Sequence, residues 1–328
     1  MNFLLLVLSG AIASLCVLSI RSFQIYVQKH PLQMPFYQVL SMGIGSIVYL
    51  VLSGFALPAS PASWGLALGF SLCLGASSIG YAEAMQNGPF SLTNIINSCN
   101  VLIPILVGCI VFKEQLLVPH VIGIALLLAT FILSGTGNRG EKREIRPIWY
   151  FQILLSFLGN GFGAVILSAF NKLPEPCSSD SFMAVGFFFG ALLILLYVLL
   201  GRSRKSDKVF LLQPSWRLAG LLSVSALCVF GCNSLMIRLA AVYPSAMLFP
   251  VYNGISSVLS CLASCLLLRE SMDRKKFITL LLGIGAVVLL NLYIRCRGAH
   301  CAPAGDQWSP LQAARKQPES RWLSGCFL

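Results

Sequence analysis

Charge is what this sequence lacks. Only 10% of its 328 residues are Asp, Glu, Lys or Arg, and just 11 of those are acidic. A soluble domain carries about 25% charged residues, and a folded chain of this size has too much surface for so few charges to cover. A water-soluble fold is therefore excluded. Histidine is as scarce: His30, His120 and His300 lie in or beside loops, with no acid at a helical spacing. Without an acid/base constellation no catalytic residues are expected, and the chain is not read as an enzyme. Twelve Cys are too few for a disulfide scaffold, and the absence of any C-x-x-C argues against a metal or redox centre. The segment Gly135–Lys142 approaches a phosphate loop, but Glu141 stands where lysine is required and no strand precedes it. No cofactor is expected.

What is present is apolar. The set AVILMFWYC makes up 57% of the chain, and a membrane helix needs about 20 such residues in succession. Ten stretches qualify: 3–26, 34–55, 64–86, 90–112, 119–135, 148–170, 181–200, 216–240, 245–268 and 276–294. Trp64, Trp149 and Trp216 open three of them, as indole rings anchored at headgroup level would. The first span has no preceding Lys or Arg and is expected to stay as a helix rather than be cleaved as a signal. Residues 295–328 read as a basic, disordered tail. The expected class is an all-α, multi-pass integral membrane protein, most simply of the plasma or cell inner membrane, with the bilayer as its first partner.

The net charge of +12 does not point to nucleic acid, because the 23 Lys and Arg fall in short segments between apolar runs. The odd-numbered loops carry fifteen of them and the even-numbered loops three. By the positive-inside rule the odd loops are cytoplasmic and both termini lie outside.

An internal repeat organises the spans. Pro89 and Pro244, each before a span, are 155 residues apart; Asn97 and Asn253, and Glu114 and Glu270, are 156 apart. The chain divides into a first five-helix repeat (1–136), a charged linker (137–147) and a second five-helix repeat (148–294). Because five is odd, the second copy enters the membrane from the opposite side, giving an inverted repeat with a site near midplane. On the turn Gly88-Pro89-Phe90-Ser91, on Pro104, and on Lys113-Glu114 followed by Gly123 with a second copy at Arg269-Glu270, the chain resembles EamA-type members of the drug/metabolite transporter superfamily. The resemblance covers roughly residues 3–294. It implies a ten-helix carrier moving small metabolites by alternating access, and termini in the cytoplasm, opposite to the loop charges. Ser260 stands where Pro104 does in the first copy, and Thr279 where Gly123 does.

Candidate site residues follow from polarity at depth. Asn94, Asn97 and Asn100 fall within a 120° arc of the fourth span together with Pro104. In the ninth, Tyr252, Asn253, Ser256 and Ser260 form a comparable stripe. Such groups either line a cavity or cross-link helices, and the cavity is preferred for the Asn triplet. Pro104 would kink its helix. Tyr37 and Gln38 in the second span, and Gln152, Ser156 and Asn160 in the sixth, could add donors and acceptors. Glu83 and Arg238, 155 residues apart, occupy equivalent places near helix ends. Snorkelling is preferred for both, with a substrate or coupling contact as the alternative. No acid lies in residues 2–28, which disfavours a hydrophobic-cation antiporter and favours a neutral or zwitterionic metabolite, such as an amino acid. The rivals are a membrane scaffold or sensor without transport and, behind it, an intramembrane enzyme.

Overall fold

The computed structural model describes residues 2–26, 33–58, 60–87, 93, 96–113, 118–135, 146–173, 178–204, 216–267, 277–278, 281–286 and 288–289. These residues contain helices and turns and no strand. In chain order the helices are α1 (Asn2–Tyr26), α2 (Gln33–Leu52), α3 (Pro61–Asn87), a 3-10 turn (Cys99–Val101), α4 (Leu102–Ile110), α5 (Val118–Gly135), α6 (Ile148–Phe170), α7 (Ser179–Arg204), α8 (Trp216–Ala240) and α9 (Ser245–Leu267). The described residues between 277 and 289 are also helical. Met1–Asn291 forms one compact unit. The turn 88–91, Asn94, Glu114, Arg269, Glu270, most of the 137–147 linker and the tail lie outside the described residues, as does the side chain of Ser260.

Among the described residues five helices are long and apolar enough to cross a bilayer: Met34–Leu52, Pro61–Met85, Ile148–Phe170, Ser179–Leu200 and Ala219–Ala240. Leu4–Cys16, Ile96–Ile110 and His120–Leu133 are shorter apolar helices. This is the make-up of a helical membrane protein. Its outer surface agrees: Leu4, Ile47, Leu72, Phe151, Leu196 and Leu227 are exposed, while Ser9, Ser41, Ser71, Ser156 and Ser225 are buried. Large apolar side chains outside and small polar ones inside is the arrangement expected where lipid, not water, surrounds the bundle. Several buried hydroxyls are satisfied by their own helix, as Ser9 Oγ donates to Leu6 O at 2.8 Å and Ser71 Oγ to Leu68 O at 2.7 Å. A serine bonded that way adds no unpaired group to the interior.

The helices pair in fixed directions. On α3 and α6, a side chain at Gly80 would meet Gln152 O and Ser156 N, and one at Gly159 would meet Cys73 O and Ser77 N, so the two run antiparallel. On α3 and α7, Gly186 lies against Phe70, Gly190 against Leu74, and Tyr197 bonds Glu83, so these run parallel. Helices α2 and α8 also run parallel, tied by Tyr37 OH to Leu221 O (2.9 Å) and Tyr49 OH to Phe230 O (2.9 Å). Ser46 Oγ donates to Ala184 O at 3.0 Å while Phe36 packs on Val198, making α2 antiparallel to α7. Cys232 lies on Ser9 O, and Gly231 on Ile12, with Cys16 reaching Ser225, so α1 and α8 are antiparallel. Taken as a chain of pairings, α1 and α6 point in opposite directions.

Candidate functional site

Helix α6 carries the polar strip. Gln152, Ser156 and Asn160 recur every four residues and therefore stack on one face. That face turns toward the fourth span. Ser156 Oγ donates to Asn97 Oδ1 at 2.7 Å, and Asn160 Nδ2 donates to the same oxygen at 3.0 Å. Asn97 is thus a three-residue node joining the fourth span to α6. Asn100 is half-buried one turn on, inside the 3-10 turn. Pro104 follows at the third residue of α4, buried. A proline ring clashes with the carbonyl four residues back, which here is that of Asn100. The backbone is tightened into a 3-10 turn at Cys99–Val101, immediately ahead of the proline rather than at it.

One turn earlier on α6 a second node surrounds Glu83. Tyr197 OH of α7 donates to Glu83 Oε1, and Gln152 Nε2 of α6 lies 3.4 Å from Oε2. Asn87 Nδ2 donates to Gln152 Oε1 at 3.0 Å and to Glu83 O at 3.1 Å, and Arg146 Nη1 approaches Asn87 Oδ1 at 3.5 Å. Among the described residues no cation stands within ion-pair distance of the Glu83 carboxylate. The carboxylate, for which snorkelling is expected, meets donors from two neighbouring helices. Arg238 is different: it is exposed in the last turn of α8, where a cation suits the helix dipole.

The other candidates are spread over α2 and α9. Tyr37 is buried and bonded to Leu221 O, which makes it a packing contact between α2 and α8. Gln38 Oε1 is buried with no hydrogen-bond partner among the described residues. Tyr252 reaches Cys232 of α8. Asn253 and Ser256 are half-buried on α9, close to where Gly10 of α1 meets Ile255 and the Ser256 backbone. The structure brings Asn97 and Asn160 together and puts Glu83 one turn away along α6. It does not bring Glu83 to Arg238.

Sequence reasoning missed Tyr197, Asn87 and the bond from Trp149 Nε1 to Thr93 Oγ1 (2.9 Å). A lone Tyr in an apolar run gives no periodic signal, and the place of Trp149 at the head of a span points to the headgroup level. It is instead 1% exposed, packed with Ala84 and Ile153. Trp64 donates to Pro58 O at 2.7 Å, and of the three described tryptophans Trp216, at 96% exposed, stands free at the surface. A cavity of about 260 Å³ lies where α6 ends and α9 begins, lined by Ser168, Asn171, Lys172 and residues 240–245. Burial there pushes the Tyr243 phenol above its ordinary value.

No protein-family model matches the chain, and no curated protein matches it either. A solved structure, described only as the crystal structure of a protein, is similar over 89% of this chain and 97% of its own, with a TM-score of 0.70 and 14% identity. The likeness is one of fold.

Proposed function

We propose that the chain is a secondary carrier of the EamA type, built from ten spans as two inverted five-helix repeats, that moves a small polar metabolite by alternating access. The observation that carries this reading is the exchange of packing partners. Swapping each helix of the first repeat for its counterpart turns the α3–α6 pairing into α8–α1 and the α3–α7 pairing into α8–α2, with running directions preserved. The α2–α7 pairing maps onto itself. A pseudo-two-fold of this kind, with α1 and α6 opposed, supports two halves that rock about a shared site. The half-buried amides of Asn97, Asn100, Asn160 and Asn253 support a wall of uncharged donors and acceptors. The site takes a neutral or zwitterionic solute.

The test is uptake into proteoliposomes from a panel of amino acids and other small polar metabolites. Asn97→Ala removes the acceptor shared by Ser156 and Asn160 and is expected to lower uptake at least tenfold. Its thermal unfolding should move little, because the two interhelical bonds it loses are worth about 0.6 kcal/mol each on average in a membrane. A variant that unfolds early yet transports normally would make Asn97 packing alone. Folded wild-type protein that moves nothing in the panel would favour the scaffold.

A further inference from the structure

Resting on the carrier reading, we propose that Glu83 receives the ammonium group of the transported solute, so that the substrate class is restricted to amine-bearing metabolites. Three observations lead there. First, an ionisable side chain within a membrane helix is costly and is retained for a partner or a pathway. Glu83 sits one turn from the end of α3, half-buried, with α6 and α7 packed against it. Second, the groups around it are neutral donors. Tyr197 and Gln152 orient the two oxygens but add no charge, and Arg146 is bonded to Asn87, one link away. A carboxylate with four lone-pair sites and two neutral donors still has acceptor capacity, and among the described residues no cation offsets its negative charge. An ammonium brings three donors and the missing charge. Third, the carboxylate adjoins the Asn97 node along the α6 strip, since Gln152 bonds Glu83 while Ser156 and Asn160 bond Asn97. Four residues of helix rise about 6 Å. A solute with an amine at one end and a hydrogen-bonding group at the other spans that interval.

The hydrogen bonds to Glu83 also fix its position. Tyr197 and Gln152 come from two different helices, so the carboxylate is a junction of α3, α6 and α7. Capture of an ammonium on the free lone pairs draws the carboxylate toward the solute and loosens the junction when the solute is bound. Binding and helix movement are thereby coupled through the same two oxygens.

The experiment uses the purified full chain in proteoliposomes and matched probes that differ only in amine against hydroxyl: L-alanine and L-lactate, L-serine and L-glycerate, ethanolamine and ethylene glycol. Wild-type protein should take up, or be inhibited by, the amine member of at least one pair at least tenfold better than its hydroxyl partner. Glu83→Gln should remove that preference. A second readout needs no variant: dicyclohexylcarbodiimide modification of Glu83, followed by mass spectrometry of the wild type, should be slowed by the amine probe and not by its hydroxyl partner. If the hydroxyl partners are carried as well as the amines, the ammonium site is overturned while the carrier stands. Glu83→Gln that keeps the amine preference but loses a proton or sodium dependence also overturns it, and makes Glu83 a coupling site instead. Amine probes that leave carbodiimide labelling unchanged overturn it again. Absence of flux for every solute, with folded protein present, removes the carrier reading itself.

Discussion

Gly159→Val and Gly80→Val should each abolish accumulation of folded protein, and the alanine variants should melt well below wild type. The cause is backbone contact. A Cβ at Gly159 would stand 2.7 Å from Cys73 O and 2.8 Å from Ser77 N, and one at Gly80 would stand 2.7 Å from Gln152 O and 2.8 Å from Ser156 N. No rotamer relieves a clash with main chain, so α3 and α6 must separate, and overpacking of this sort costs about 1–3 kcal/mol or more. Separation also pulls Gln152 and Ser156 from Glu83 and Asn97, so transport should fall with stability. Gly43 and Gly220 are the controls, because nothing stands within 4 Å of a Cβ at either. There alanine should be neutral or stabilising, by up to about 1 kcal/mol of helix propensity. Thermal unfolding of purified protein in detergent checks the set. A Gly159→Ala variant melting within about 2 °C of wild type would show that the helices do not approach this closely.

Trp149→Ala carries the second large effect. The indole is fully enclosed, packs beside Ala84 and Ile153, and gives its N–H to Thr93. Removing it leaves a cavity at the base of the polar strip, at an expected cost of about 3–5 kcal/mol. Trp149→Phe keeps most of the ring and loses the donor, so the drop should be nearer 1 kcal/mol, in the range of interhelical bonds in membranes. Thr93→Val removes the same bond from its other end, and the double variant should cost less than the sum of the singles. Unfolding midpoints in denaturant read all four. Were the indole a headgroup anchor, truncation to alanine would cost little.

The placement of several long apolar helices was legible in the sequence because membrane spans announce themselves by length. Helix α6 runs Ile148–Phe170, as the apolar stretch 148–170 specifies, and α8 runs Trp216–Ala240, as 216–240 does. The strip on α6 was equally legible, because Gln152, Ser156 and Asn160 repeat with the period of the helix. Less legible was which helix each strip faces. That depends on small residues such as Gly80 and Gly159, whose lack of a side chain admits a neighbour without naming it. Glu83 shows the same limit. Its place near a helix end fits snorkelling, and only the approach of Tyr197 from 114 positions away along the chain turns it inward. Trp149 was misplaced because its position in sequence, at the mouth of a span, is shared by anchors and by core residues alike. Pro104 marked a real irregularity, but the relief of its clash fell upstream, in the turn Cys99–Val101.

The pairing of early helices with late ones has a consequence for how the protein is made. The main partners of α1, α2 and α3 are α8, α7 and α6, so these three helices leave the ribosome before their main partners have been translated. At about 5–20 residues per second, Tyr37 and Tyr49 wait about 5–20 s after the linker for the carbonyls of Leu221 and Phe230. During that interval the nascent chain holds unmet hydroxyls and glycine-lined grooves in lipid. Sheltering by the insertion machinery, and prompt proteolysis of chains that stall midway, are thus demands set by this topology on the cell that produces it.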